Sequence, residues 1–173
     1  MKNRANRLHN IKVWNIILIV LTVFSVLYDL MGISSTLNPK LKQFDFLKGD
    51  FYKNFEITIT PQQMFEHASK FPVKLVYVVG LVLSFVLLFL YFRNHQRIKQ
   101  TLVPLKFPYL LFIGWQVIAN LFEMFYDPVN ITVINGSGLS IRLITFLLYS
   151  LIPLLILNHI YRIEKEEKVT VSR

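Results

Sequence analysis

The sequence predicts an all-α membrane protein, an antiparallel four-helix transmembrane bundle carrying a small outer cap of a short β-element and a short helix. Three observations lead there: four long apolar runs, basic residues gathered in alternate connections, and polar residues inside the runs at helical spacing. Residues 13–31, 75–92, 108–126 and 139–161 each approach the roughly 20 residues a helix needs to cross a hydrocarbon core about 30 Å thick. With 173 residues, 54% of them hydrophobic, little chain is left for a separate water-soluble catalytic domain, so 1–173 reads as a single membrane domain.

The 19 Lys and Arg give a net charge of +9, yet they cluster at span ends rather than over one folded face. That pattern fits a lipid bilayer with anionic headgroups as partner, not nucleic acid. Lys2, Arg4, Arg7 and Lys12 precede the first span, Arg93, Arg97, Lys99 and Lys106 lie in the connection 93–107, and Arg162, Lys165, Lys168 and Arg173 follow the fourth span. By the positive-inside rule these segments are cytoplasmic and both termini face inward, in the plasma membrane. No acid occurs between Glu66 and Glu123, so the connection 93–107 is purely basic and orients the chain most strongly. The first span is longer than a secretory signal core and no small-residue cleavage pattern follows it, so it is expected to be retained. Zero cysteines exclude disulfide exchange and thiolate metal sites. The abundance of Lys, Asn, Ile and Phe suits a bacterium of low GC content.

The first outer loop, 33–73, is too long for a simple turn and is expected to be structured. Ser34, Ser35, Asn38 and Pro39 open it as turn formers, and Phe44, Phe46, Phe51, Tyr52 and Phe55 suit headgroup depth or a cap. The alternation over 55–60 reads as a strand, and Thr60-Pro61-Gln62-Gln63 as a capped helix start. That helix should run to about Lys70, with Pro72 ending it before the second span. In the outer loop 127–138 the alternating residues 129–134 precede the turn signal Asn135-Gly136, and the two strands could pair. Asn130-Ile131-Thr132 and Asn135-Gly136-Ser137 match a glycosylation pattern but read better as strand and turn chemistry so close to the membrane. Arg162 to Lys168 should continue the fourth helix, and Val169-Thr170-Val171 reads as an extended end.

The sharpest constellation is Gln116, Asn120, Glu123 and Asp127, spaced four, three and four, hence on one face of the third span. Polar groups facing lipid are costly, so this face should look into protein or water, as an ion, proton or ligand site or as an interhelical hydrogen-bond seam. Asn15, Thr22, Ser25 and Asp29 form a stripe on the first span, and Arg142, Thr145, Tyr149 and Pro153 one on the fourth. On the second span, Tyr77, Gly80 and Ser84 include a small pair that permits close backbone approach. Every helix thus has a face suited to a common interior. At the outer end Asp29, Glu123 and Asp127 should share depth with Arg142, which can pair with one or two of them; Asp29 and Asp127 read more readily as headgroup-level residues in water. Pro153 should kink the fourth helix and free a carbonyl near Tyr149.

No nucleophile with a paired His, no phosphate loop and no metal-ligand spacing is present, and His9, His67, His95 and His159 are scattered. Neither a cofactor nor a bound metal is expected. An enzyme would have to be built from Glu123, Asp127, Arg142 and Tyr149, and the chain reads as non-enzymatic. Glu166-Glu167-Lys168-Val169-Thr170-Val171 after a fourth span, with the alternating stretch before the second, resembles an uncharacterised bacterial family of four-span integral membrane proteins, often encoded beside small helix-turn-helix regulators. That family has a longer segment between its second and third spans, and the resemblance implies no activity and no site residue. The leading expectation is a protein that acts by association with a protein partner, as an accessory or regulatory subunit or a sensor. The alternative is a homo-oligomeric pore, a membrane-permeabilising effector using the polar face of the third span; a small transporter ranks third.

Overall fold

A computed structural model describes residues 2–48, 59–126 and 137–171, with side chains over 4–48, 59–126 and 143–167. Among these the chain is all-helical. The long helices are α1 (Lys2–Leu37), α3 (Phe71–Lys99), α4 (Phe107–Tyr126) and α5 (Ser137–Val171), and a short α2 (Pro61–Ser69) follows a 3₁₀ segment, Leu41–Lys48. All four long helices are long and apolar enough to cross a membrane, which makes the chain a multi-pass membrane protein.

The helices pack in a ring, α1 against α3 and α5, and α4 against α5 and α3. Neighbours run in opposite directions: Asn15 of α1 meets Tyr91 of α3 while Asp29 meets Tyr77, and Lys106 before α4 meets Glu164 near the end of α5. The start of α1 and the end of α5 therefore lie at one end, here the tail end; the 3₁₀ segment and α2 lie at the other, the loop end. Phe24, Tyr28, Met31, Phe89 and Phe125 project outward from the ring. Large apolar side chains turned outward all round cost nothing in hydrocarbon and would be untenable over such an area in water.

The helices overrun the apolar runs. α1 continues past 31 through Ser34 and Ser35, expected turn formers, because Ser35 returns its hydroxyl to the carbonyl of Gly32 at 2.8 Å inside the helix. α3 extends through Arg93 to Lys99, nearly half of what reads as the connection 93–107, since long basic side chains are good helix formers once they reach water. It ends in a Schellman motif: Leu102 N–H donates to the Arg97 carbonyl, Thr101 N–H to that of Ile98, and Thr101 takes φ 60°. α5 keeps Val169-Thr170-Val171 helical, not extended, because β-branched residues yield to the continuation of an established helix.

Pro72 starts α3 instead of ending α2, for Lys70 caps both helices and Pro72 sits in the first turn, where its missing N–H is no loss. α2 has the capping box its sequence suggests, with Gln63 N–H donating to the Thr60 hydroxyl at 3.2 Å and Thr60 N–H to the Gln63 side chain at 2.9 Å. The strand expected over 55–60 lies outside the described residues except for irregular Ile59 and Thr60, and the second, 129–134, lies wholly outside them. α2 rests against the 3₁₀ segment and the start of α3, and its His67 ring is 5.4 Å from that of Tyr126 at the end of α4.

Candidate functional site

The tail half of the ring is solid. Leu8, Ile11, Leu87, Tyr91, Tyr109, Ile156 and Ile160 pack into one core, and Tyr91, Tyr109 and Ile156 are 0% exposed. Inside it Tyr109 donates its hydroxyl to Oδ1 of Asn15 at 2.8 Å, Asn15 donates to the Tyr91 carbonyl at 2.9 Å, and Asn94 donates to the Tyr109 oxygen at 3.2 Å. Asn94 also pairs with the backbone of Leu105 in both directions, at 2.9 Å each way. Hydrogen bonds of this kind specify which helices meet, since an unpaired amide in so dry a place would cost 1–3 kcal/mol by order of magnitude. Beyond the core, Lys106 pairs with Glu164 at 2.5 Å, Arg7 with Glu166 at 2.9 Å and Arg4 with Glu167 at 3.2 Å, tying α5 to the start of α1 and of α4.

The loop half is hollow. A cavity of about 580 Å³ opens among α1, α3, α4 and α5. Its tailward portion is apolar, with Leu18, Leu81, Leu87, Phe112 and Ile152, and polar groups from every wall join it: Thr22, Ser25 and Asp29 from α1, Tyr77 and Ser84 from α3, Gln116 and Glu123 from α4, and Tyr149 from α5. Toward the tail end it stops at Leu18 and Leu87, themselves buried, above the solid core.

Of the stripes read from the sequence, Thr22, Ser25, Asp29, Tyr77, Gly80, Ser84, Gln116, Glu123 and Tyr149 line this cavity, whereas Asn15 lies in the tail-end core and Thr145 and Pro153 are not among the lining residues. Asn120 does not line the cavity; its amide donates to the Gln116 carbonyl at 2.7 Å, one turn back on α4. Asp29 and Glu123 share the cavity wall, Asp29 half-buried and Glu123 exposed. Asp127 lies outside the described residues, as does the Arg142 side chain, although Arg142 belongs to the first turns of α5. Tyr77 donates its hydroxyl to the backbone carbonyl of Asp29, fixing α3 to α1 beside that carboxylate.

Gly80 does admit a close approach, but of a side chain rather than a backbone. A Cβ placed on it would lie 3.2 Å from Cζ2 of Trp115, so the indole of α4 occupies the space that the absent side chain leaves. Ser84 turns its hydroxyl back to the Gly80 carbonyl at 3.0 Å. Pro153 is buried inside α5, which is helical on both sides of it, and leaves the Tyr149 carbonyl without its usual N–H donor beside the cavity. Trp115, Asn94 and Tyr109 escape a reading by stripes. Trp115 looks like one more apolar position, and the partners of Asn94 lie on backbone of a connection that periodicity does not trace.

Among the described residues no group of three or more His, Asp or Glu is placed to hold a metal ion. His95 and His159 each have a buried Nδ1 without a hydrogen-bond partner, at the tail end and away from the cavity. Matched against protein families, curated proteins and solved structures, the chain finds no counterpart in any of the three.

Proposed function

We propose that this is a non-enzymatic protein of the bacterial plasma membrane, both termini cytoplasmic, that acts by association as a sensor or an accessory or regulatory subunit. The tail end is then the cytoplasmic one and the cavity opens toward the outer leaflet. The carrying observation is that, among the described residues, the cavity lining reaches tailward only to Leu18, Leu87, Phe112 and Ile152, next to the packed core that holds Tyr91 and Tyr109. A dead-end pocket on a rigid base suits binding and reporting. The resemblance to an uncharacterised four-span bacterial family belongs to this reading for its layout alone.

The same observation weighs against a pathway through one copy, whether pore or transporter. A homo-oligomeric pore would have to pass between copies, and Gln116 and Glu123 of α4 already face the protomer's own cavity. The test is the mass and composition of the particle extracted gently from its native membrane. A heteromeric particle at near-stoichiometric yield is the expected result. A particle holding only copies of this chain, with ion flux in liposomes that falls on Glu123→Gln, would replace this reading with the pore.

A further inference from the structure

We propose that the tail-end seam between α1 and α3 binds one anionic phospholipid, its phosphate held by Lys12, His95 and Lys99 and its acyl chains lying along the two helices toward the loop end. The site depends on the chain's crossing a membrane and not on the association reading.

Register brings the three side chains together. Asn15 donates to the Tyr91 carbonyl at 2.9 Å and, farther toward the tail, Arg4 donates to the Thr101 carbonyl at 3.3 Å. Between those two bonds the antiparallel helices set Lys12, three residues before Asn15, level with His95, four residues after Tyr91. Lys99 follows His95 by one turn on the same face of α3. Both ammonium groups stand near enough to act electrostatically on the His95 ring. That ring is half-buried, and its Nδ1 is buried with nothing to donate to, so the proton belongs on the accessible Nε2, which is then a donor.

Charge at the tail end is unevenly balanced. Its three acidic side chains, Glu164, Glu166 and Glu167, all belong to α5 and pair with Lys106, Arg7 and Arg4. Residues 1–28 and 67–122 contain no Asp or Glu, nor do residues 168–173, so no part of the chain beyond the described residues brings another acidic side chain to this end. Among the described residues neither Lys12 nor Lys99 has an ion pair. The α1–α3 seam is thus left with donors and cations alone, an arrangement that takes a phosphate.

Depth and surroundings name the carrier of that phosphate. Lys12 directly precedes the apolar run 13–31 and His95 closely follows 75–92, which places the group at the border of the hydrocarbon, where lipid phosphates lie. Toward the loop end Phe92 and Leu88 continue the face of His95, and Ile16 stands one turn beyond Lys12; Ile16 and Phe92 are 41% and 49% exposed. Free phosphate makes no use of these apolar side chains, whereas acyl chains cover them. A headgroup with its own ammonium would set a cation against Lys12 and Lys99, so the lipid carries net negative charge.

The test uses the full chain in detergent with equimolar phosphatidylglycerol and phosphatidylcholine of matched acyl chains, and native mass spectrometry counts the lipids retained. One phosphatidylglycerol per chain is expected, kept in the presence of excess inorganic phosphate. Lys12→Gln and Lys99→Gln should each weaken its retention about fivefold, the scale of one basic residue at an anionic surface. Lys12→Arg should keep it, and so should Lys165→Gln, which removes the same charge from an exposed position near the end of α5. An equal loss in Lys165→Gln would overturn the proposal, because diffuse attraction of the whole tail end would then account for binding. Equal retention of the two lipids would overturn it as well, and release of the lipid by inorganic phosphate, with phosphate adducts in its place, would replace it with a site for the free anion.

Discussion

The Tyr109 hydroxyl donates to Asn15 at 2.8 Å across the ring, so the first turn of α4 is fastened to the middle of α1 by two side chains that are both 0% exposed. In a bilayer, apolar contact alone does not choose between neighbours, because lipid tails are as apolar as leucine. A directional bond between buried polar groups does choose, and this one sits where the solid half of the ring begins.

Asn15→Leu and Tyr109→Phe should each lower unfolding stability in detergent or nanodiscs by about 1–2 kcal/mol, since each strands a polar partner in the core. The double variant should cost less than the two singles together, by about 1 kcal/mol, because it removes both ends of one bond. Strict additivity in the double-mutant cycle would show that the two side chains are not coupled.

Thr101 occupies the left-handed position of the Schellman motif at φ 60°, where a β-branched residue is strained and glycine is not. Thr101→Gly should therefore raise stability by about 1 kcal/mol. The backbone carbonyl that accepts from Arg4 at 3.3 Å is kept in this variant. An unchanged or lower denaturation midpoint would mean that the strain is relieved some other way.

Gly80 and Trp115 give a graded test. Gly80→Ala asks the indole to shift by only a few tenths of an ångström, whereas Gly80→Val cannot be accommodated without moving it off α3. Stability should fall slightly for the first and by about 1–3 kcal/mol for the second, with a change in Trp115 emission in a Trp14→Phe background. Equal, small effects from both would indicate that the indole is not seated there.

Orientation is testable with unusual freedom because the chain contains no cysteine. Gln62→Cys on α2 and Gln100→Cys after α3 are both exposed positions, at the loop end and the tail end respectively. A membrane-impermeant maleimide applied to intact cells should label the first and reach the second only after permeabilisation. The reverse pattern would invert the topology proposed here.

How much of this is visible in the sequence follows from what periodicity encodes. Thr22, Ser25 and Asp29, or Gln116 and Glu123, are separated by three, four or seven residues, and a helix converts such spacing into a shared face whatever its neighbours are. Their meeting around one cavity was therefore legible. Asn94 was not, because its amide is satisfied by Leu105, whose place depends on the path of a connection closed by Thr101. Helix lengths were understated for a related reason: hydropathy reports where hydrocarbon ends, while α1 and α5 continue in water until pairs such as Arg7 with Glu166 hold them together.

With α5 held to the starts of α1 and α4 by Glu164, Glu166 and Glu167, and with the Asn15, Tyr91 and Tyr109 core beneath the cavity, the tail end is the part of the ring least able to change shape. Occupancy of the cavity has a softer route outward through its walls, above all the part of α5 before Pro153, where one backbone hydrogen bond is already missing. On the reading as a sensor proposed above, a message would leave sideways, within the plane of the bilayer, toward whatever lies beside the loop-end half of α5. Listeners should be sought among membrane-embedded neighbours rather than among soluble proteins that dock on the tails.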